Sequence, residues 1–317
     1  MNDTNHDFQK QSRVYLLLVY AVCFGLGGAA LLTKNENGNP VYGFLQKIFT
    51  AVPILAALAA RRITHDKGRW NFSLRVWKRP GLWAFCAFCP GLLIALGAAV
   101  FFIEFPEKYS GVFDYGALTA LTGVSGSGVM AVHTPIVFWA AAAAISAIFI
   151  PIQLLELGEE IGWREYLFPR QIEQFGIHKA VLLNSFLWGI AHLPLIYFGF
   201  NYSAANPGAP WSNMAMMILM CLAVGVICCY VTAVSGNAMF AAIVHGVVNI
   251  IGEIPVFLSL RQENSLLGPN PTGLIGMAGL ILCAMVLFAR LGKIKNRLIA
   301  DPGEQIMAHG KCGCGRS

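Results

Sequence analysis

Residues 82–103 read LWAFCAFCPGLLIALGAAVFFI, a stretch without one charged side chain. Crossing roughly 30 Å of hydrocarbon takes about 20 apolar residues in a helix, so this stretch marks a membrane-spanning segment. The whole chain agrees: 56% of its 317 residues are hydrophobic and 12% are charged, with a mean hydropathy of +0.61. A soluble domain carries about 25% charged residues. Windows of the same kind recur near 14–33, 42–60, 135–157, 178–200, 213–234, 238–260 and 272–290. Together they predict an all-α, polytopic membrane helix bundle of about eight transmembrane helices, one integral membrane domain over residues 1–317. The window at 42–60 is the weakest, because Lys47 interrupts it.

Orientation follows from Lys and Arg in the connections, not from the net charge of +6. The connection 61–81 carries Arg61, Arg62, Lys67, Arg69, Arg75, Lys78 and Arg79, and is expected on the cytoplasmic side. Eight spans put the N-terminus, the connection holding Arg164, Arg170 and Lys179, and the tail with Arg290, Lys293, Lys295 and Arg297 on that same side. Both termini are then cytoplasmic, and residues 291–317 read as a disordered tail. Asp3 and Asp7 precede the first span and no small-residue cleavage site follows it, so that span is expected to remain as a membrane helix. Cys314 is fourth from the end, but Gly315 and Arg316 are not the aliphatic pair of a prenylation signal.

Seven of the nine cysteines fall within predicted spans, where Cys acts as a small apolar residue. Cys86 and Cys89 form a C-x-x-C without the second pair a zinc site needs. There is no glycine-rich phosphate loop, no basic-aromatic patch for nucleic acid, and no internal repeat. The stretch 104–134 is expected to be an external loop with partial order. The partners the sequence implies are the lipid bilayer and a hydrophobic or lipid-bearing molecule, with no nucleic acid; it leaves the oligomeric state open.

Against this apolar background a few polar residues stand out, because ionisable side chains at membrane depth are costly and by default functional. Glu159 and Glu160 lie in Leu157-Gly158-Glu159-Glu160-Ile161-Gly162-Trp163-Arg164. Glu160 and Arg164 are four apart, so on a helix they share a face and can pair. Glu159 points about 100° away, which leaves one carboxylate neutralised and the other free for proton transfer. His192 sits in a run with no Asp, Glu, Lys or Arg between Lys179 and Glu253, with Gly189 before it and Pro194 after it. His245 and Asn249, four residues apart on one helical face, offer N–H donors suited to a developing oxyanion. Each of these also has a bland reading: a solvated helix end for the glutamates, a polar clamp between helices for the imidazoles and Asn249. On the predicted topology Glu159 lies at a span end and His192 about a dozen residues into the next span. Their depths then differ by roughly 10 Å or more, and the fourth helix must tilt or kink to bring them together.

In order along the chain stand Glu159-Glu160-x-x-x-Arg164, Trp188-x-x-x-His192 and His245-x-x-x-Asn249. This set resembles the CAAX prenyl endopeptidase and bacteriocin-processing intramembrane proteases, also called the Abi family. The resemblance covers about 155–255, which would be the catalytic core. It implies that Glu159 polarises the attacking water as general base, with His192 helping to hold it. It further implies that His245 and Asn249 stabilise the oxyanion, while Glu160 and Arg164 are structural supports. The family is often described as metalloproteases, and Glu159, His192 and His245 would make three ligands for zinc with an open position. There is no H-E-x-x-H, in which two histidines share one helical turn, and a metal-independent glutamate-histidine site is the expectation. The function expected is endoproteolysis of a membrane-embedded or lipid-anchored peptide near the cytoplasmic leaflet. The rival classes are a proton-coupled transporter, which an internal repeat would favour, and an inactive membrane scaffold or immunity protein.

Overall fold

The structure, a computed structural model, describes residues 2–33, 39–68, 70, 72–114, 129–131, 156–260 and 266–294. It is a helix bundle. Helix α1 (Asn2–Thr33) is followed by α2 (Pro40–Ile48), which passes through a 3-10 turn (Phe49–Ala51) into α3 (Val52–Ile63), and by α4 (Pro80–Glu104). A two-stranded antiparallel ribbon, β1 (Val112–Asp114) and β2 (Val129–Ala131), pairs Val112 with Ala131; it falls within the stretch expected to be a loop. Then come α5 (Leu157–Glu160), a π-helical segment π1 (Ile161–Leu167) and α6 (Phe168–Phe175) in one continuous rod. The chain continues as α7 (Ile177–Tyr197), α8 (Trp211–Ser235), α9 (Met239–Gly252), the short α10 (Ile254–Phe257) and α11 (Ala278–Arg290).

Six of these segments are long and apolar enough to cross a membrane: His6–Thr33, Pro40–Ile63, Pro80–Glu104, Ile177–Tyr197, Trp211–Ser235 and Met239–Phe257. They answer to six of the eight predicted windows, including the one that Lys47 interrupts; Lys47 is exposed. The fourth predicted window, 135–157, lies outside the described residues save for its last two. The eighth is shorter than expected. Its helix begins at Ala278, because Gly268, Pro269, Pro271 and Gly273 turn the chain just before it, with Leu274 and Ile275 donating back to Leu266 and Leu267 (both 2.8 Å). Its 13 residues reach about 20 Å, short of the hydrocarbon thickness.

The centre of the bundle is the α7–α8 hairpin with α9, and α1 is the least enclosed of the six spans. Leu92, Leu96, Val100 and Ile103 of α4 are exposed along one stripe, as are Leu282, Met285 and Val286 of α11. Apolar stripes of this size suit lipid rather than water. At one end of the bundle Arg170 of α6 donates to Gln11 of α1 (2.6 Å) and to Asp66 after α3 (2.6 Å), and also to the carbonyl of Tyr166. Asn237 holds Ser73 at both backbone groups (3.0 and 2.7 Å). These bonds gather the start of α1, the basic 61–79 connection and the end of α6 on one side, as the charge pattern predicted for those three segments. Arg164 does not join them. It is fully buried in π1 rather than lying in a connection, because Glu160 neutralises it there.

Candidate active site

The site is built on the α5–π1–α6 rod. The rod approaches the second span closely because Gly158 and Gly162 face it: a Cβ on Gly158 would sit 2.8 Å from the carbonyl oxygen of Thr50, and one on Gly162 would sit 2.4 Å from Pro53. Small residues four apart are a standard device for close helix approach in membranes. Gly176, at φ 75°, lets the chain reverse between α6 and α7. The rod and α7 then run antiparallel. Trp188 Nε1 donates to Glu159 Oε2 (2.8 Å), and Asn184, one helical turn nearer the reversal, donates to the carbonyl of Trp163 (3.0 Å). Asn184 also bonds Gln171 Oε1 (2.9 Å) and so pins the π-helical segment; such segments recur at functional sites.

This hairpin removes the depth mismatch expected from the sequence. Glu159 stands 16 positions before Phe175 and His192 stands 15 after Ile177, so both lie about 20–24 Å from the turn. No tilted or kinked helix is needed. The glutamates are buried: Glu159 is 2% exposed and Glu160 0%.

Glu160 is locked. Its Oε1 accepts from Arg164 Nη1 (3.0 Å) and from His245 Nδ1 (3.0 Å). The Arg164 guanidinium also lies 4.3 Å above the Trp188 ring, a favourable cation–π geometry in a desolvated setting. Buried charges persist only when paired in this way. Glu159 differs. One of its oxygens holds the Trp188 indole, and the other accepts no hydrogen bond from the described residues. Glu159 lies outside the six spans, and burial pushes its carboxyl up to about 7, against the lowering pull of His245 and of the Trp188 N–H.

His245 and Asn249 join the same network from α9. Asn249 Nδ2 donates to Glu156 Oε1 (3.0 Å), and His245 Nε2 lies 3.7 Å from Glu156 Oε2. His192 reaches it only through Trp188. Its Nδ1 is 2.9 Å from the Trp188 carbonyl, its ring packs 4.6 Å from Phe49, and the indole stands between it and His245, with ring centroids 5.5 and 5.0 Å away. A carbonyl can only accept, so His192 Nδ1 carries the proton and Nε2 presents a lone pair.

Among the described residues, one group of side chains could hold a metal ion: Glu156, Glu159 and His245, whose ligand atoms lie within 4.8 Å of one another. Of the three ligands named from the sequence, Glu159 and His245 belong to it and His192 stands outside. Each member is oriented through its other polar atom, by Asn249, Trp188 and Glu160 respectively, the arrangement seen around bound metals. Glu156 was missed in the sequence although its spacing, three and four residues before the glutamate pair, put it on their face. Trp188 was legible as the aromatic of Trp188-x-x-x-His192, though its bond to Glu159 was not, and Asn184 had no signal beyond its place in an apolar run.

Residues 132–251, which hold every one of these side chains, match the family model described as type II CAAX prenyl endopeptidase Rce1-like. The match covers 120 of the chain's 317 residues, and over them the chain is similar to that family. It is also similar to the CAAX prenyl protease 2 of Methanococcus maripaludis, 25% identical over 156 residues, covering 47% of this chain. The match spans 56%, little more than half, of that relative's length. The family segment coincides with the rod, α7, α8 and most of α9, the elements that carry the polar network.

Proposed function

We propose that this chain is an intramembrane endopeptidase that hydrolyses a peptide bond of a membrane-embedded or lipid-anchored substrate near the cytoplasmic leaflet, with both termini in the cytoplasm. The observation that carries this reading is Glu159: a carboxylate buried among apolar helices, held by one oxygen, and poised near neutral pH. A general base works best with a pKa near the operating pH.

In this reading Glu159 takes a proton from a water molecule that the Nε2 lone pair of His192 helps to hold. The water oxygen adds to the carbonyl carbon of the scissile bond, and the carbonyl oxygen becomes an oxyanion. Asn249 Nδ2–H and His245 Nε2–H receive that charge. Because His245 gives its Nδ1–H to Glu160, a donor at Nε2 requires the doubly protonated ring. Glu159 then returns its proton to the departing amine as the C–N bond breaks. Glu160 and Arg164 touch no substrate; they fix the rod, and through it Glu159.

Glu156, Glu159 and His245 also suit a divalent cation such as zinc. A cation bound there would supply Lewis acidity and lower the pKa of a coordinated water. The relative's name makes a prenylated C-terminal peptide the first substrate to try. The test is to compare the N- and C-termini of membrane proteins by mass spectrometry in cells lacking the endogenous protein and expressing wild type or Glu159→Gln at matched levels. Termini present only with wild type support proteolysis and name the substrates. Identical profiles, with both proteins folded and abundant, remove it in favour of a scaffold or transporter.

A further inference from the structure

We infer that Glu156 occupies the oxyanion site of the resting protein as a resident carboxylate and gives it up when substrate binds. This rests on the proteolytic reading above, which assigns the oxyanion to Asn249 and His245. Both of those groups already face an anion. Glu156 Oε1 takes the Asn249 amide N–H at 3.0 Å, and Glu156 Oε2 lies 3.7 Å from His245 Nε2. A carboxylate with one oxygen toward each donor stands where a tetrahedral oxyanion would stand.

The charges around it show why this carboxylate is the one able to leave. The rod brings three carboxylates together, Glu156, Glu159 and Glu160, and Arg164 pairs directly with Glu160. Glu156 therefore depends on Asn249 and His245 for its stabilisation, and its Oε2 is buried without a hydrogen-bond partner. An anion developing on the substrate needs the same two donors, and two like charges cannot share them at contact distance. Glu156 also stands where movement is possible. It precedes the first residue of α5, its side chain keeps 14% exposure, and Asn249 is exposed, whereas Glu159 and Glu160 lie sealed within the rod. Rotation about its own side-chain bonds takes the carboxylate off the donors without unwinding a helix. Glu156 is thus a positioning residue: it keeps the Asn249 amide and the His245 imidazole aimed at one point while the site is empty.

The test uses full-length protein in liposomes, with a substrate taken from the terminus profiles and a phosphinate analogue of it that carries a fixed anion in place of the oxyanion. Glu156→Ala should bind the phosphinate about tenfold more tightly than wild type and cleave substrate with a lowered KM. Glu156→Gln, which keeps the shape and loses the charge, should fall between the two, and it carries the test if the Ala variant does not fold. The gain should vanish when Asn249→Ala is added. Equal or weaker phosphinate binding by folded variants overturns the inference while leaving proteolysis intact. So does loss of activity together with loss of a bound metal, which would make Glu156 a ligand. A wild-type protein that cleaves nothing refutes the proteolytic reading itself.

Discussion

Around the Trp188 indole meet two sets of polar side chains, one wholly buried and one that reaches the surface at Asn249. Glu160, Arg164, Trp188 and Asn184 are all within 1% of complete burial, and the guanidinium stacks on the indole. Glu156, Glu159, His245 and Asn249 are less enclosed: the Glu156 side chain keeps 14% exposure and the Asn249 amide is exposed, although Glu160 Oε2 and Arg164 Nε and Nη2 lack hydrogen-bond partners as Glu156 Oε2 does. Glu159 and Glu160 are chain neighbours of equal depth, yet one belongs to each set. The first holds geometry, and the second is available for chemistry. Mutations should therefore separate into those that cost the fold and those that cost the reaction.

The largest effect is expected from Glu159→Gln. Loss of a general base lowers rates by about 10²–10⁴, and cleavage assays in proteoliposomes should show this with the melting temperature nearly unchanged. Arg164→Met should do the opposite, because it strands the Glu160 carboxylate in the interior. Removing one partner of a buried pair costs about 3–5 kcal/mol, which thermal unfolding in detergent would register. Adding Glu160→Met should recover part of that loss. Asn249→Ala belongs with Glu159: an oxyanion donor is worth about 10²–10³ in kcat, with little change in stability. Gly162→Ala drives a methyl toward Pro53 and should destabilise by about 1–3 kcal/mol. The mildest perturbation is pH. Burial raises Glu159 to about 7, and a base acts only when deprotonated, so kcat should climb as pH rises through about 7 and fall below it.

The less enclosed set was the more legible of the two in the sequence. Glu159, His192, His245 and Asn249 announce themselves as polar residues in apolar runs, and Glu160 with Arg164 follows from helical spacing. What the sequence hid was the rod that carries them. Residues 157–175 include Arg164, Glu165, Arg170 and Glu173, so a hydropathy window scores them as a connection. Arg164 is nonetheless buried by pairing with Glu160, and Arg170 is half-buried against Gln11 and Asp66. Pairing of this kind is a tertiary fact. The same blindness predicted a depth mismatch that the antiparallel hairpin abolishes. In the last predicted span, 272–290, the apolar composition was read correctly, but the turn that runs on through Gly273 to Met277 was not.

The division between the two glutamates is tested most directly by placing Glu159→Gln and Glu160→Gln in the same proteoliposomes and measuring cleavage rate and melting temperature on each. Glu159→Gln should be as stable as wild type and inert, while Glu160→Gln, which strands Arg164 and loosens its hold on His245, should melt earlier. A folded Glu159→Gln that cleaves at the wild-type rate would contradict the role given to Glu159 and, with it, the reading of this site.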